Sequence, residues 1–244
     1  MKGKSLILMY HNIGVPPIDA PMKGLYVLPS MFKVQLRLLK IFGFKVVTIK
    51  ELLLDINKNN NKKLVAITFD DGYYDFYKNA LPLLAEFNYT ANVFVVASLI
   101  GKTNEWDTIR YGGVKEPLMN LDQLREIQQK GIVIGSHSYS HADLTALDEE
   151  SLKREIGYSK EYLQGLLKTK IETFCYPFGG CNDKAKSIVK EVGYTAGIGS
   201  KRGSVKPSDD VYDLRRIPVR LNTHPLLFLY KILTEYEDKK GRRK

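Results

Sequence analysis

Leu64-Val65-Ala66-Ile67-Thr68-Phe69-Asp70-Asp71-Gly72 is an apolar run that ends abruptly in two adjacent carboxylates and a glycine. The run is rich in β-branched residues, which reads as a buried strand. Gly72 permits a sharp turn, and Tyr73 to Phe87 then carries apolar residues at helical spacing. Two acids at the C-terminal end of a strand, just before a helix, occupy the position where α/β folds place their chemistry. A plain Asp-Asp-Gly turn would look the same in isolation. A second stretch breaks the tie. Gly135-Ser136-His137-Ser138-Tyr139-Ser140-His141 follows another short apolar run, Ile132-Val133-Ile134, and holds two of the chain's four histidines.

Outward from these stretches, strands alternate with helices. Strands are expected at 5–10, 44–49, 64–69, 91–97, 173–176, 194–198 and 214–219, besides the one before His137. Helices are expected at 31–42, from the Thr48–Glu51 capping-box pair to about Ile56, at 73–87 with a kink or restart at Pro82, from Asn120 to Gly131, at 147–167, 182–192 and 225–236. Asn57 to Lys63 reads as a polar surface loop, and Ser98 to Pro117 as a long loop holding Trp106, the only tryptophan. The alternation implies a parallel sheet, closed into a (β/α) barrel or left open and doubly wound. No linker interrupts it, so residues 1–236 form one domain, and 237–244 form a basic C-terminal tail.

The chain has 244 residues and a net charge of +10. That charge suits an acidic partner such as nucleic acid, an anionic membrane surface or an anionic glycan. No nucleic-acid-binding motif accompanies it, so no nucleic-acid partner is expected. Lys239, Lys240, Arg242, Arg243 and Lys244 concentrate part of it at the end of the chain. They read as a solvated tail, with weak peripheral membrane association as the alternative. Cys175 and Cys181 fit neither a disulfide framework nor a common zinc spacing. Leu6 to Tyr10 is too short for a signal core, and no apolar stretch reaches the ~20 residues of a membrane span. A cytoplasmic location is the corresponding expectation.

One carboxylate and two imidazoles make a facial triad that leaves positions open for water and substrate. A second acid beside the ligand acid suits metal-assisted hydrolysis, one holding the ion and the other taking a proton. Trp106 could stack on a sugar ring or plug the barrel end. As a loop residue it is expected to serve substrate affinity more than stability. Tyr73 could line the cleft or pack the helix start.

Thr68-Phe69-Asp70-Asp71-Gly72 and Ser136-His137-Ser138-Tyr139-Ser140-His141 resemble the first two motifs of the polysaccharide deacetylases, the NodB-homology or carbohydrate esterase family 4 domain. Tyr176-Pro177-Phe178-Gly179 is similar to the third, with Phe178 where Tyr is usual. The resemblance runs from about residue 5 to 220. It implies a deformed (β/α) barrel of about seven parallel strands and one divalent ion, zinc by default, with cobalt, nickel or iron as alternatives. It implies hydrolysis of N-acetyl groups on amino sugars in a polysaccharide, glycan or lipid-linked saccharide precursor. By position, Asp70 would be the general base, and Asp71, His137 and His141 the metal ligands. The Phe178 N–H would help hold the oxyanion, and Tyr176 and Pro177 would line the substrate cleft. Two family features are missing. Ile171-Glu172-Thr173-Phe174-Cys175 lacks the arginine that orients the base, and Leu221-Asn222-Thr223-His224 has one residue too many for the C-terminal Leu-x-His. Leu8-Met9-Tyr10-His11 instead resembles the branch that includes poly-N-acetylglucosamine deacetylases, in which an N-terminal histidine takes the acid's place. Asn104-Glu105-Trp106-Asp107 and Leu118-Met119 also resemble that branch. Two alternatives are a same-fold amidase acting on a non-sugar C–N bond and a non-catalytic glycan-binding module.

Overall fold

The structure, a computed structural model, describes residues 3–56, 62–112 and 114–242. Seven parallel strands close on themselves: β1 (Lys4–Tyr10), β2 (Lys63–Phe69), β3 (Asn92–Val95), β4 (Val133–Ser136), β5 (Thr173–Cys175), β6 (Ala196–Arg202) and β7 (Leu214–Pro218). Each pairs with the next, and β7 closes the ring on β1 through Leu8 opposite Ile217. The pair Lys45–Val46 adds a short strand beside the base of β2. The apolar runs lack alternation because both strand faces are buried. Ile7, Ala66, Phe94, Cys175, Ile198 and Leu214 form one buried cluster. Leu6, Leu8, Val65, Ile67, Val93 and Phe174 belong to another, packed with the helices.

The helices are α1 (Pro29–Ile41), α2 (Ile49–Ile56), α3 (Leu81–Glu86), α4 (Glu105–Tyr111), α5 (Leu121–Gln129), α6 (Glu149–Lys153), α7 (Ser159–Leu167), α8 (Asp183–Glu191), α9 (Pro225–Leu233) and α10 (Tyr236–Gly241). Pro82 lies in the first turn of α3, just after a π-turn over Phe76–Ala80. The expected interruption therefore takes the form of a restart, because proline suits a first helical turn. A second π-turn, Arg154–Tyr158, joins α6 to α7. The Asn120–Gln123 capping box opens α5.

Two expectations need correction. The stretch 98–117 is not a plain loop, because α4 carries Trp106 within it. The stretch from 237 is not a free tail either. Buried Glu237 accepts from Arg202 Nε at 2.6 Å and from Lys231 Nζ at 2.8 Å, and buried Asp238 accepts from the Ser204 hydroxyl at 2.8 Å. The two acids just before Lys239 and Lys240 dock the segment, a feature hidden by its overall basic composition. Residues 57–61 of the expected polar loop, Gly113, Arg243 and Lys244 lie outside the described residues. Among the described residues, no helix is long and apolar enough to cross a membrane.

Strand β4 comes close to both neighbours. A Cβ on Gly135 would lie 2.6 Å from the Phe94 ring and 2.7 Å from Thr173 Oγ1. Gly135→Ala is therefore expected to destabilise the fold by about 1–3 kcal/mol, the usual scale of overpacking. Chemical denaturation checks this, and an unchanged midpoint would show that β3 and β5 can yield.

Candidate active site

Parallel closure brings every strand's C-terminal end to one rim. Tyr10 pairs with Phe69, so His11 and Asp70 emerge side by side. Val95 pairs with Ser136 and Ser136 with Phe174, which brings His137 to the mouth beside β5. The turns beyond the strands are strained. Among the described residues, six non-glycine residues have positive φ, and Asp71 (74°), Ser138 (63°), His141 (65°) and Phe178 (56°) are four of them. Such left-handed positions persist only where the surroundings enforce them.

For the histidine turn, buried Glu155 supplies the enforcement. It accepts from the Tyr139 and Ser140 N–H groups at 3.0 and 2.9 Å and from the Ser140 hydroxyl at 2.6 Å. The His141 N–H donates to Ser138 Oγ at 3.0 Å. Glu155 lies in the π-turn between α6 and α7, and nothing local in the sequence marks it.

The structure brings Asp71, His137 and His141 together. Asp71 Oδ1 lies 3.2 Å from His137 Nε2 and 3.3 Å from His141 Nε2, all three residues buried. His137 Nδ1 lies 2.8 Å from the Cys175 carbonyl, which can only accept, so Nδ1 carries the proton. A neutral His137 would then aim an Nε2 lone pair at the Asp71 carboxylate. Burial lowers the His137 pKa, but Cys175 and Asp71 outweigh it and raise it well above its ordinary value. The pocket thus calls for positive charge between these atoms, and a divalent cation meets that need with N and O donors. The fixed Nδ1–H is also the outer support typical of a ligating imidazole. His141 lacks that support: its Nδ1 is buried with no partner among the described residues. Packing orients it instead. The Trp106 ring stacks on it at 4.3 Å and 26°, and Phe178 meets it edge-on at 4.6 Å.

Asp70 takes a separate partner. Arg216 Nη1 donates to Asp70 Oδ1 at 2.6 Å, and its Nε donates to the Gly199 carbonyl at 2.8 Å. Burial pushes the Asp70 pKa up, but Arg216, then His11 and His137, outweigh it and hold the carboxyl below its ordinary value. Arg216 stands on β7 rather than before the third motif. A register shift between Leu214 and Arg216 marks the place. The missing arginine was not identified in the sequence because a residue on the last strand reaches the second only in the closed barrel. His11 Nε2 lies 3.7 Å from Asp70 Oδ2.

Of the other expected residues, Trp106, Tyr176 and Phe178 line a cavity of about 550 Å³ with His11, Asp70 and the metal-type donors. Tyr73 sits behind Trp106. It is buried, and its hydroxyl donates to Asp107 Oδ2 at 3.1 Å. The Tyr176 hydroxyl donates to the Tyr212 carbonyl at 2.8 Å. Pro177 is buried in the short turn Pro177–Gly179, while the Phe178 side chain is exposed. His224 is exposed and caps α9, its Nδ1 accepting from the Leu227 N–H at 3.4 Å.

Two outcomes follow from this packing. Trp106→Ala should destabilise the protein by about 3–5 kcal/mol, as for a large buried aromatic. An unchanged melting temperature would return Trp106 to a purely ligand-facing role. Arg216→Met should cost about 3–5 kcal/mol by leaving the Asp70 charge buried and unpaired. Asp70→Asn in the same background should recover part of that loss in a double-mutant cycle, and additive effects would refute the coupling.

Residues 57–197, more than half of the chain, match the polysaccharide deacetylase family. The Bacillus subtilis protein YxkH is 28% identical over 215 residues, which cover 87% of this chain and 70% of that one. The poly-beta-1,6-N-acetyl-D-glucosamine N-deacetylase of Staphylococcus aureus is 25% identical over 205 residues, 80% of this chain and 68% of its own. The solved structure of the Streptococcus pyogenes deacetylase PplD in complex with acetate matches at 28% identity and a TM-score of 0.82, over 95% of this chain and 99% of that one. With its closed seven-stranded barrel and its strand-end acids and histidines, the chain belongs to the polysaccharide deacetylase family.

Proposed function

We propose that this chain is a metal-dependent hydrolase that removes N-acetyl groups from amino sugars in a glycan. The convergence of Asp71 Oδ1, His137 Nε2 and His141 Nε2, with Asp70 next in the chain, carries the reading. Asp71, His137 and His141 would hold one divalent ion, and zinc suits such a mixed N/O set. When bound, the ion supplies Lewis-acid polarisation of the amide carbonyl.

The remaining steps belong to protein groups. Water adds to the amide carbon and gives its proton to Asp70. Arg216 holds that carboxylate ionised and fixes one of its oxygens, leaving the other toward His11. The Phe178 N–H, at a strained turn on the cavity wall, is assigned to the developing oxyanion. The C–N bond then breaks, and the amine leaves with a proton from His11. Both acid–base groups emerge from paired strand ends on one rim. Tyr176 lines the cavity beside Phe178, Pro177 lies buried in the turn that carries Phe178 and does not line it, and Trp106 holds His141 while facing the cavity. Polymeric and lipid-linked saccharides are to be compared as substrates in one acetate-release assay.

Asp70→Asn and His11→Ala should each lower kcat by at least ~100-fold, the scale of acid–base groups. Both should still bind one equivalent of zinc, whereas His137→Ala should not, as measured by metal analysis after dialysis. Near-normal turnover in His11→Ala would remove His11 from the acid role, and zinc retention in His137→Ala would refute the ligand set.

A further inference from the structure

His137 and His141 face Asp71, whereas Tyr139, midway between them, packs against two tyrosines outside the cavity. Its ring meets Tyr158 at 4.9 Å and 53°, and Tyr162 at 5.9 Å and 89°. Tyr158 and Tyr162 follow one another by one helical turn at the start of α7, their rings 6.0 Å apart. Both are exposed, and Tyr139 is half-buried. None of the three hydroxyls has a hydrogen-bond partner among the described residues.

Gly165 continues the stripe three residues after Tyr162 and is exposed as well. A glycine inside a helix weakens it. At Gly135 close neighbours demand the missing side chain, but a Cβ on Gly165 would meet nothing within 4 Å. Internal packing therefore gives no reason for this glycine. What it does is leave bare backbone open beside the Tyr162 ring. At the other end of the stripe, Arg154 is paired with Glu150 at 3.9 Å, so its charge is already answered.

The support beneath this face is rigid. The π-turn Arg154–Tyr158 leaves Tyr158 exposed and buries Glu155, which holds the N–H groups of Tyr139 and Ser140. Turns of this kind inside helices recur at functional sites. Phenol rings combine an apolar face with a polar edge. They suit an uncharged pyranose, whose own apolar face can lie on a ring while its hydroxyls reach the phenol oxygens. The catalytic cavity, about 550 Å³, has the size of a small-molecule site, so a polymer that enters it must continue across the surface. We infer that Tyr139, Tyr158, Tyr162 and Gly165 form a second, non-catalytic binding site for an uncharged N-acetylated glycan chain. The site holds the polymer outside the cavity. This inference rests on the deacetylase reading and adds to it a preference for long chains.

The test uses the zinc-loaded chain with an N-acetylglucosamine trimer and a long polymer of the same sugar. Acetate release gives kcat/KM for each, and calorimetry in the Asp70→Asn background gives binding. Tyr158→Ala/Tyr162→Ala should lower the polymer-to-trimer ratio of kcat/KM at least about fivefold, chiefly through KM, the scale of one aromatic contact. Gly165→Gln should lower the same ratio while raising the denaturation midpoint, because the new side chain fills the hollow and favours the helix. A ratio that stays unchanged in either variant would overturn the proposal. So would an equal fall for trimer and polymer together with loss of zinc, which would make the rings a brace for the histidine turn. A dimer of the unaltered chain that dissociates in Gly165→Gln would give the face to a second copy, and would overturn it too. Failure of both sugars to release acetate would instead sink the deacetylase reading. Calorimetry would still decide the second site, by whether polymer binding falls in the two variants.

Discussion

The guanidinium of Arg216 is buried inside the barrel mouth and bonded to two other strands. It donates to Gly199 on β6 and to Asp70 just past β2, with a longer contact to Thr68 at 3.4 Å. Burial alone would weaken its charge, yet Asp70 keeps it protonated above its ordinary range. A buried ion pair is weak evidence for stability, because desolvation offsets much of the attraction. Its value here is orientation. With one oxygen of Asp70 held by Arg216, the carboxylate cannot swing toward the metal-type donors a residue away. Neighbouring aspartates thereby keep distinct roles.

That separation depends on the backbone as well. Asp71 adopts a left-handed conformation, and Gly72 follows with φ of 77°. The chain thus reverses at once after the strand, sending the two carboxylates in different directions. The same device recurs at Ser138, His141 and Phe178. Each such position costs on the order of 1–3 kcal/mol and persists only where the surroundings impose it. Glu155 imposes it on the histidine turn through three hydrogen bonds, and the Trp106–His141–Phe178 contacts fix the imidazole that has no hydrogen-bonded support. Strain, clamp and aromatic packing act together to aim three donors at one point.

Charge is distributed with similar economy. The +10 balance suggested only an acidic partner of unspecified kind. Folding divides it between cations neutralised in the interior, such as Lys231 and Arg216, and cations left facing the cavity, such as Arg220. The C-terminal segment, whose lysines suggested a solvated tail, docks through Glu237 and Asp238 and brings Gly241 to the cavity wall. Net composition could not separate these cases, because the few acids in a basic run decide where it packs.

By itself the sequence determined a parallel α/β sheet, with the closed barrel supplied by the family resemblance, and it singled out Asp70, Asp71, His137 and His141 at the strand ends. Unbroken apolar runs ending in Asp70-Asp71-Gly72 and Ser136-His137 read as strands buried on both faces, and parallel closure puts their ends on one rim. Local signals of this kind survive folding because they depend on neighbours a few residues away, as do the caps at Thr48–Glu51 and Asn120–Gln123. Only the tertiary structure decided the partners. Arg216 reaches Asp70 across 146 positions, Glu155 clamps a turn 15 positions before it, and Trp106 belongs to a helix that lies over His141. Those contacts are fixed by barrel closure and by helices folding back over the rim, and no spacing along the chain encodes them.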